Sequence, residues 1–483
     1  MTKPSKFEGG NPDKQVFAVL ATNSCFGEDM QRADHQQLDF LTAAMPPEVW
    51  TLPAELATVD RLLADPAILA PLVNKLDPVR GRPSVPAAQV LRLFYLKDRY
   101  QLSDRDLIRE VSDSFHWRKF CHFGVADALP HPTTLTYWRQ RLGTDGILAI
   151  NRAVTARLRE DKVIRGRRFR MDSTVTEADI HHPTDAGLLA DAIRRVTQRA
   201  RQLHAVIQEA PTAIRDRARS VKRRILEIGK VLKRRTGEAV TEVRRITEEV
   251  AKIGLAQGRA VAQLLDAAKK QIAVVDQAAA HRIARVTDAL QDLKTVIRQS
   301  RAATAGERIP DRMVSVADPD ARPIKKGKLG KPVQFGYKVQ IMEAENGFVT
   351  DYAVHTGNPP DAEALSPALD HHRAQFGRDP DIVATDRGYD SAHNQKDCRD
   401  RDIGTVAIPQ RGKKSEARII EERTPAFRRA QRWRAGGEGT ISRLKRKYGL
   451  RRSRYRGYDA VATGIGLGIF AHNVRRWAQR QAS

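Results

Sequence analysis

The spacing of apolar side chains predicts short helices in the first part of the chain. Leu91, Phe94 and Tyr95 follow the three- and four-residue spacing of a helix, and Ser103 is a suitable N-cap for the helical segment after it. Basic and aromatic residues among these helices predict a helical, helix-turn-helix-type DNA-binding domain over residues 51–150. An ordinary helical bundle with an exposed basic face fits the same pattern. We expect residues 1–50 to form a flexible lead-in.

A second helical pattern occupies residues 186–304, which contain no aromatic side chain. Between residues 186 and 300 there are 24 Lys and Arg against 12 Asp and Glu. We expect a coiled-coil-like insertion of several antiparallel helices with its charges in solvent. Its predicted apolar stripes are Ile193, Val196, Ala200 and Leu203; Val221, Ile225, Ile228 and Leu232; and Ile272, Val275, Ala279, Val286, Leu290, Leu293 and Ile297.

The two stretches that flank this insertion, residues 163–185 and 305–478, mix strand and helix patterns. β-Branched residues favour a strand around Asp172. Asn346-Gly347 is a strong turn signal and predicts a hairpin. A short apolar run ending at Asp386 predicts a buried strand, and further strand and helix signals follow it. The order predicts an α/β domain with a mixed sheet that the insertion interrupts after its first strand.

Composition narrows the function. The net charge of +26 makes an enzyme of small acidic metabolites a poor fit and favours nucleic acid as the partner, with an anionic membrane second. The most apolar uncharged run, residues 460–471, is shorter than the ~20 residues of a membrane-spanning helix. The first residues lack the apolar stretch of a signal peptide, and the three cysteines lie far apart. We therefore expect a cytoplasmic protein without a membrane partner.

Three carboxylates carry the candidate chemistry. Asp172 and Asp386 lie on the two most informative strands, and Glu438 is the single acid among twelve Lys and Arg of residues 426–456. Carboxylates from three elements can hold two Mg²⁺ ions about 4 Å apart at a phosphodiester. Each also has a simpler explanation: a surface position, a strand end, and for Glu438 an ion pair with Arg434.

Cations and glycines surround the last carboxylate. Arg434, Glu438 and Lys445 share one helix face, because they are four and then seven positions apart. In this arrangement the Glu438 carboxylate could bind a metal ion while the flanking Arg434 and Lys445 bind DNA phosphates. Glycine costs about 1 kcal/mol inside a helix, so three glycines around Glu438 predict close backbone approach to a metal and to DNA: Gly436, Gly437 and Gly439. The GIGLG stretch at 464–468 is better explained by close helix packing than by a dinucleotide site.

These motifs resemble a known family. MDSTV at 171–175, ATDRGYDS at 384–391 and the Arg-Glu-Lys spacing resemble the YREK-type signature of bacterial insertion-sequence DDE transposases. The text DSTVTEADIHHPTDAGLLADA looks closest to the ISNCY-type group. The resemblance spans roughly residues 60–475. The Tyr of the signature would fall at Gln431, so Trp433 or Tyr448 would have to take its role.

The resemblance implies a ribonuclease H-like catalytic fold with the triad Asp172, Asp386 and Glu438 as metal ligands. Mg²⁺ would be the cofactor, with Mn²⁺ as a substitute. We assign DNA contacts to four cations of the C-terminal basic segment: Arg434, Arg443, Lys445 and Lys447.

The implied protein is an insertion-sequence transposase that binds terminal inverted repeats, cleaves the ends and joins them to target DNA. Its partner is double-stranded DNA, and holding two ends together implies a homo-oligomer. Its setting is the bacterial cytoplasm, at the nucleoid. Two alternatives remain: a transposase-derived DNA-binding protein without catalysis, and a related metal nuclease that cleaves without joining.

Overall fold

The structure is a computed structural model that describes residues 40–77, 84–206, 214–234, 237–271, 277–325 and 332–481. The chain divides into two compact units, residues 1–158 with 470–483 and residues 159–469. Most of the expected lead-in over residues 1–50 lies outside the described residues. None of the described helices is long and apolar enough to cross a membrane.

The described part of the first unit is built from helices. Buried apolar residues such as Leu91 and Phe94 form its core. The predicted N-cap is confirmed, since the Asp106 N–H donates to Ser103 Oγ at 3.0 Å. Gly143 (φ 61°) interrupts the last helix with a kink. The helices are α1 (Phe40–Ala43), α2 (Pro47–Trp50), α3 (Ala54–Leu63), α4 (Pro66–Val73), α5 (Ala87–Tyr100), α6 (Asp104–Asp113), α7 (Phe115–Phe120) and α8 (Pro132–Glu160).

The second unit contains a mixed six-stranded sheet. Its strands are β1 (Arg168–Glu177), β2 (Arg322–Lys325), β3 (Val333–Glu343), β4 (Val349–Thr356), β5 (Ile382–Thr385) and β6 (Thr405–Ala407). The order is β2-β3-β1-β5-β6, and β4 also pairs with β3. β1, β5 and β6 run parallel, whereas β3 is antiparallel to β1, β2 and β4. The predicted mixed sheet and hairpin are confirmed.

The hairpin turn also fixes the start of β1. Asn346 adopts the left-handed conformation (φ 62°) that Asn-Gly turns favour. The carboxylate of Glu345 accepts the backbone N–H groups of four consecutive residues, 165–168, at 2.6–3.2 Å. A charged acceptor of this kind binds more strongly than a neutral one. The turn therefore holds the strand that carries Asp172.

The predicted insertion is a set of helices with a core of its own. It comprises α9 (Asp185–His204), α10 (Ala218–Leu232), α11 (Gly237–Gln271) and α12 (Gln277–Thr304). The α9 stripe is buried together with four stripe residues of α12, as predicted: Val286, Leu290, Leu293 and Ile297. Ala279 is buried as well but lies outside this cluster. The predicted positions Ile272 and Val275 lie outside the described residues. Leu232 was expected on an apolar face but is 56% exposed, because α10 ends at this residue.

The part of the second unit that follows the insertion, together with the end of the chain, contains five further α-helices among the described residues. They are α13 (Leu365–Phe376), α14 (Ala392–Asp400), α15 (Glu416–Arg423), α16 (Pro425–Lys447) and α17 (Tyr458–Gln481). In α17, a Cβ on Gly464 would lie 2.5 Å from the Tyr455 ring, and one on Gly468 would lie 2.3 Å from the Tyr448 carbonyl oxygen. The glycines of GIGLG therefore permit close packing, as predicted.

Candidate active site

The sheet places two of the predicted carboxylates side by side. β1 and β5 pair in parallel, with Met171 opposite Thr385 as the last pair. The next residues in each chain segment are Asp172 and Asp386. Residues at the same level of parallel neighbours point to the same face of a sheet. The register alone therefore brings these two carboxylates together at the carboxyl end of β5, where α/β proteins commonly bind ligands.

Asp172 lies in a field of like and unlike charges. Its Oδ1 accepts the Ser173 N–H at 2.7 Å. Burial raises the pKa of the Asp172 carboxyl, and the charges of Asp386 and Glu438 raise it further, whereas the Ser173 N–H and the Arg434 guanidinium act in the opposite direction. Asp386 and Glu438 are thus both close enough to Asp172 for their charges to act on its carboxyl.

Asp386 caps a short turn. Its Oδ1 accepts the Gly388 N–H at 2.7 Å, and residues 387–389 form one turn of 3-10 helix. A side chain on Gly388 would contact this oxygen, since its Cβ would lie 2.7 Å away. Glycine at this position therefore lets the backbone N–H reach the carboxylate. The bond fixes one oxygen of Asp386.

Glu438 comes from α16, which packs across β5 and β6. Thr424 begins this helix, as predicted, by accepting the Phe427 N–H at 3.3 Å. Arg434 lies between the acids: Nη1 is 3.6 Å from Asp172 Oδ2, and Nη2 is 3.5 Å from Glu438 Oε1. The Glu438 side chain is 69% exposed. The ion pair that was the alternative explanation for Glu438 is therefore present, within reach of Asp172.

The three carboxylates do not form a closed cluster in the structure. Within the ranges that the structure describes, no three His, Cys, Asp or Glu side chains are grouped closely enough to hold a metal ion. The Arg434 guanidinium, which is itself a cation, lies between the carboxylates of Asp172 and Glu438. The donor chemistry still fits a divalent cation, because mutually repelling carboxylate oxygens are the ligands that Mg²⁺ prefers.

The glycines of α16 have a different role from the one expected. A Cβ on Gly436 would lie 3.1 Å from Arg170 Nη1, and one on Gly437 would lie 3.2 Å from Arg170 Nε. Nothing lies within 4 Å of a Cβ on Gly439. Gly436 and Gly437 thus allow α16 to approach the buried Arg170 of β1. Gly439 faces open space.

That buried arginine was missed by the sequence analysis. Arg170 Nη2 donates to Glu343 Oε2 at 2.5 Å, and Nη1 donates to the Trp433 carbonyl at 2.6 Å. Its guanidinium also stacks on the Trp433 ring at 4.9 Å. The available signal was strand alternation, which places Arg170 on the same face as Asp172. Trp433 therefore connects α16 to β1.

Three of the four predicted DNA-contacting cations lie along α16 beyond Glu438. Arg443 and Lys445 are half-buried, and Lys447 is exposed at the last residue of the helix. Tyr448, the other candidate for the signature tyrosine, is buried just after the helix. Basic residues in the last turn also stabilise the helix through its dipole.

Two family models match the chain. The model described as Transposase domain (DUF772) matches residues 51–141, and the one described as Transposase DDE domain matches residues 301–474. Together they match more than half of the chain. The second match includes Asp386 and Glu438, whereas Asp172 precedes it, on the far side of the insertion.

The chain is also similar to one curated protein over part of its length. An uncharacterized protein, ORF8 in the nfe locus of Rhizobium meliloti, is 28% identical over 143 residues, which are 29% of this chain and 69% of that protein. No solved structure matches the chain.

A mixed α/β sheet and a helical N-terminal region, matched by these two models, define an enzyme that cleaves phosphodiester bonds. The chain belongs to the DDE transposase family. Its function is DNA transposition, and DNA is its partner.

Proposed function

We propose that this protein is the transposase of a bacterial insertion sequence with a YREK-type signature of the ISNCY-type group. It binds the terminal inverted repeats, cleaves a strand at each end and transfers the ends to target DNA. The second unit is its ribonuclease H-like catalytic domain. The observation that carries this proposal is the parallel register of β1 and β5, which brings Asp172 beside Asp386, while the Glu438 charge also acts on Asp172.

In this proposal Asp172, Asp386 and Glu438 hold divalent cations, Mg²⁺ or Mn²⁺. Bound metal would make a water molecule or a 3′-hydroxyl a better nucleophile and would stabilise the leaving oxygen. The chain supplies the rest. Ser173 and Gly388 each fix one oxygen of an aspartate through a backbone N–H, and Arg434 is placed to balance the carboxylate charge and to contact a DNA phosphate.

DNA binding is proposed to be divided between the two units. The helices of the first unit recognise the terminal repeat. Three cations of α16 contact phosphates near the cut: Arg443, Lys445 and Lys447. A net charge of +26 supports a large electrostatic contribution to affinity. We further propose that the protein acts as a homo-oligomer on paired ends and works in the bacterial cytoplasm, at the nucleoid.

The test is incubation of the protein with duplexes that carry the DNA flanking its gene, with Mg²⁺ or Mn²⁺, followed by mapping of the cuts. We expect cuts at the ends of inverted repeats and joining of the cut ends to a target plasmid. Cuts without joining would instead identify a nuclease. Binding without cuts in either metal would identify a DNA-binding protein that has lost catalysis.

A further inference from the structure

Gln431 lies where the signature of related transposases has a tyrosine, and its side chain forms hydrogen bonds in three directions. Its Nε2 donates to the Thr385 carbonyl at 3.0 Å and to the Ala407 carbonyl at 2.5 Å. Its Oε1 accepts from Arg434 Nε at 3.3 Å. Both amide hydrogens and one acceptor site of this side chain are therefore used.

The two carbonyl groups belong to the ends of neighbouring strands. Thr385 is the last residue of β5, directly before Asp386, and Ala407 is the last residue of β6. The last pair between these strands joins Ala384 to Ala407. Gln431 satisfies carbonyl groups where the ladder ends, so it connects α16 to the point from which Asp386 projects.

Arg434 is one helical turn further along α16. Its Nη1 and Nη2 are 3.6 and 3.5 Å from the carboxylates of Asp172 and Glu438, and its Nε is bound to Gln431. A guanidinium held at Nε has a restricted plane, because Nε is part of the rigid fork. Gln431 thus links the end of the Asp386 strand to the cation that faces the other two acids.

We propose that Gln431 is a positioning residue of the active site. It anchors α16 to the ends of β5 and β6 and orients Arg434 between Asp172 and Glu438. An amide can do both at once, since it carries two donors and an acceptor; a phenol has a single donor hydrogen. This inference rests on the proposed function, because its first consequence is a change in DNA cleavage.

Gln431→Leu removes all three bonds at similar volume. The matched control is Gln375→Leu: Gln375 Nε2 also joins a helix to a strand carbonyl, that of Thr350, at 3.3 Å. We expect Gln431→Leu to slow single-turnover cleavage of end DNA by the ~10–100-fold typical of lost outer-sphere partners. Gln375→Leu is expected to leave the cleavage rate within about twofold of wild type.

A double-mutant cycle with Arg434→Ala tests the orienting role. If Gln431 acts through Arg434, Gln431→Leu reduces the cleavage rate by a much smaller factor in the Arg434→Ala background than in wild type. Gln431→Glu keeps the acceptor for Arg434 but places a carboxylate against two carbonyls, so it is expected to lose the anchor and to slow cleavage as well. Equal fold-losses in both backgrounds would overturn the orienting role.

Amide hydrogen exchange tests the anchor without any cleavage. We expect Gln431→Leu and Gln431→Glu to increase exchange within α16, while Gln375→Leu leaves that helix as protected as in wild type. Unchanged exchange in α16, or cleavage by Gln431→Leu within about twofold of wild type, would overturn the proposal. A wild-type protein that cuts no DNA would contradict the proposed function instead, and the exchange result would still decide whether Gln431 is an anchor.

Discussion

A single buried arginine illustrates how the candidate site is assembled at the scale of residues. Arg170 and Glu343 are 7% and 3% exposed and form an ion pair across β1 and β3. Desolvation makes such pairs costly unless further hydrogen bonds satisfy them. Here the Trp433 carbonyl supplies one. The pair therefore serves to join α16 to the strand that carries Asp172.

The triad gives the first prediction. We expect Asp172→Asn, Asp386→Asn and Glu438→Gln each to reduce cleavage by more than the roughly 10–100-fold that loss of an outer-sphere partner costs. DNA binding should stay near wild type, because most affinity comes from the many Lys and Arg. Cleavage and gel-shift assays check this. Asp400→Asn is the control, since Asp400 is exposed and pairs with Lys396. A variant that still cleaves removes its residue from the site.

The cations of α16 give the second prediction. We expect Lys445→Ala and Lys447→Ala each to lower the slope of log affinity against log salt by about 0.9, one phosphate contact apiece. Arg434→Ala should affect cleavage more than affinity, because its guanidinium faces two acids of the site. Lys396→Ala on α14 is the control. Unchanged salt slopes for both lysine variants would assign them to helix stability alone.

At the scale of elements, the glycines of α16 give a matched pair of substitutions. Gly439→Ala should stabilise the second unit by up to about 1 kcal/mol, because alanine favours helix and its Cβ meets open space. Gly437→Ala should raise the free energy of unfolding less than Gly439→Ala does, or lower it, because its Cβ would lie in tight contact with Arg170 and Glu343. Urea unfolding measures both. Equal gains would show that the close approach of α16 to β1 imposes no constraint.

The first half of α8 gives a prediction about DNA recognition. Residues 128–144 contain no acid, and Tyr137, Gln140 and Arg141 project from one exposed face; the tyrosine is 69% exposed. Such side chains can read base edges and phosphates. We expect Arg141→Ala or Gln140→Ala to weaken binding to the terminal repeat by about 1–3 kcal/mol when a base contact is lost. Arg152→Ala, exposed further along α8, is the control. Full affinity in both variants would exclude this face.

At the scale of the whole molecule, the insertion is a body of helices whose core also includes Met313 and Val316 just beyond it. The apolar stripes of its helices pack against one another, so its basic exterior remains for other contacts. Arg312 pairs with Asp185, which shows that the chain leaves the insertion close to where it entered. A short linker can therefore replace it without stretching the sheet.

We expect replacement of residues 186–300 by a short Gly/Ser linker to preserve binding to one transposon end but to abolish paired-end complexes. The net charge of +12 over this stretch is suited to DNA beyond the cut or to bridging two ends. Gel shifts with one and with two labelled ends measure the difference. A shortened protein that still pairs two ends would make the insertion a self-packed bundle with a solvated basic surface.

The structural features that could be predicted from the sequence are those that depend on residues close together in the chain. The N-cap at Ser103, the Asn-Gly turn, the glycine packing in α17 and the stripes of the insertion follow from neighbouring residues, through backbone hydrogen bonding and helical period. Strand alternation and the lone acid of a basic helix were enough to select the three candidate carboxylates. Local sequence by itself determined these elements, and with them the class of chemistry.

Only the tertiary structure decided what depends on register and on contacts distant in sequence. The pairing of β1 with β5 puts Asp172 beside Asp386, although 213 residues separate them. Likewise, Gly436 and Gly437 of α16 face Arg170, and Arg434 lies between Asp172 and Glu438. Sequence patterns report which face of an element is apolar. They do not report which partner that element meets, because packing across the sheet is set by all the elements together.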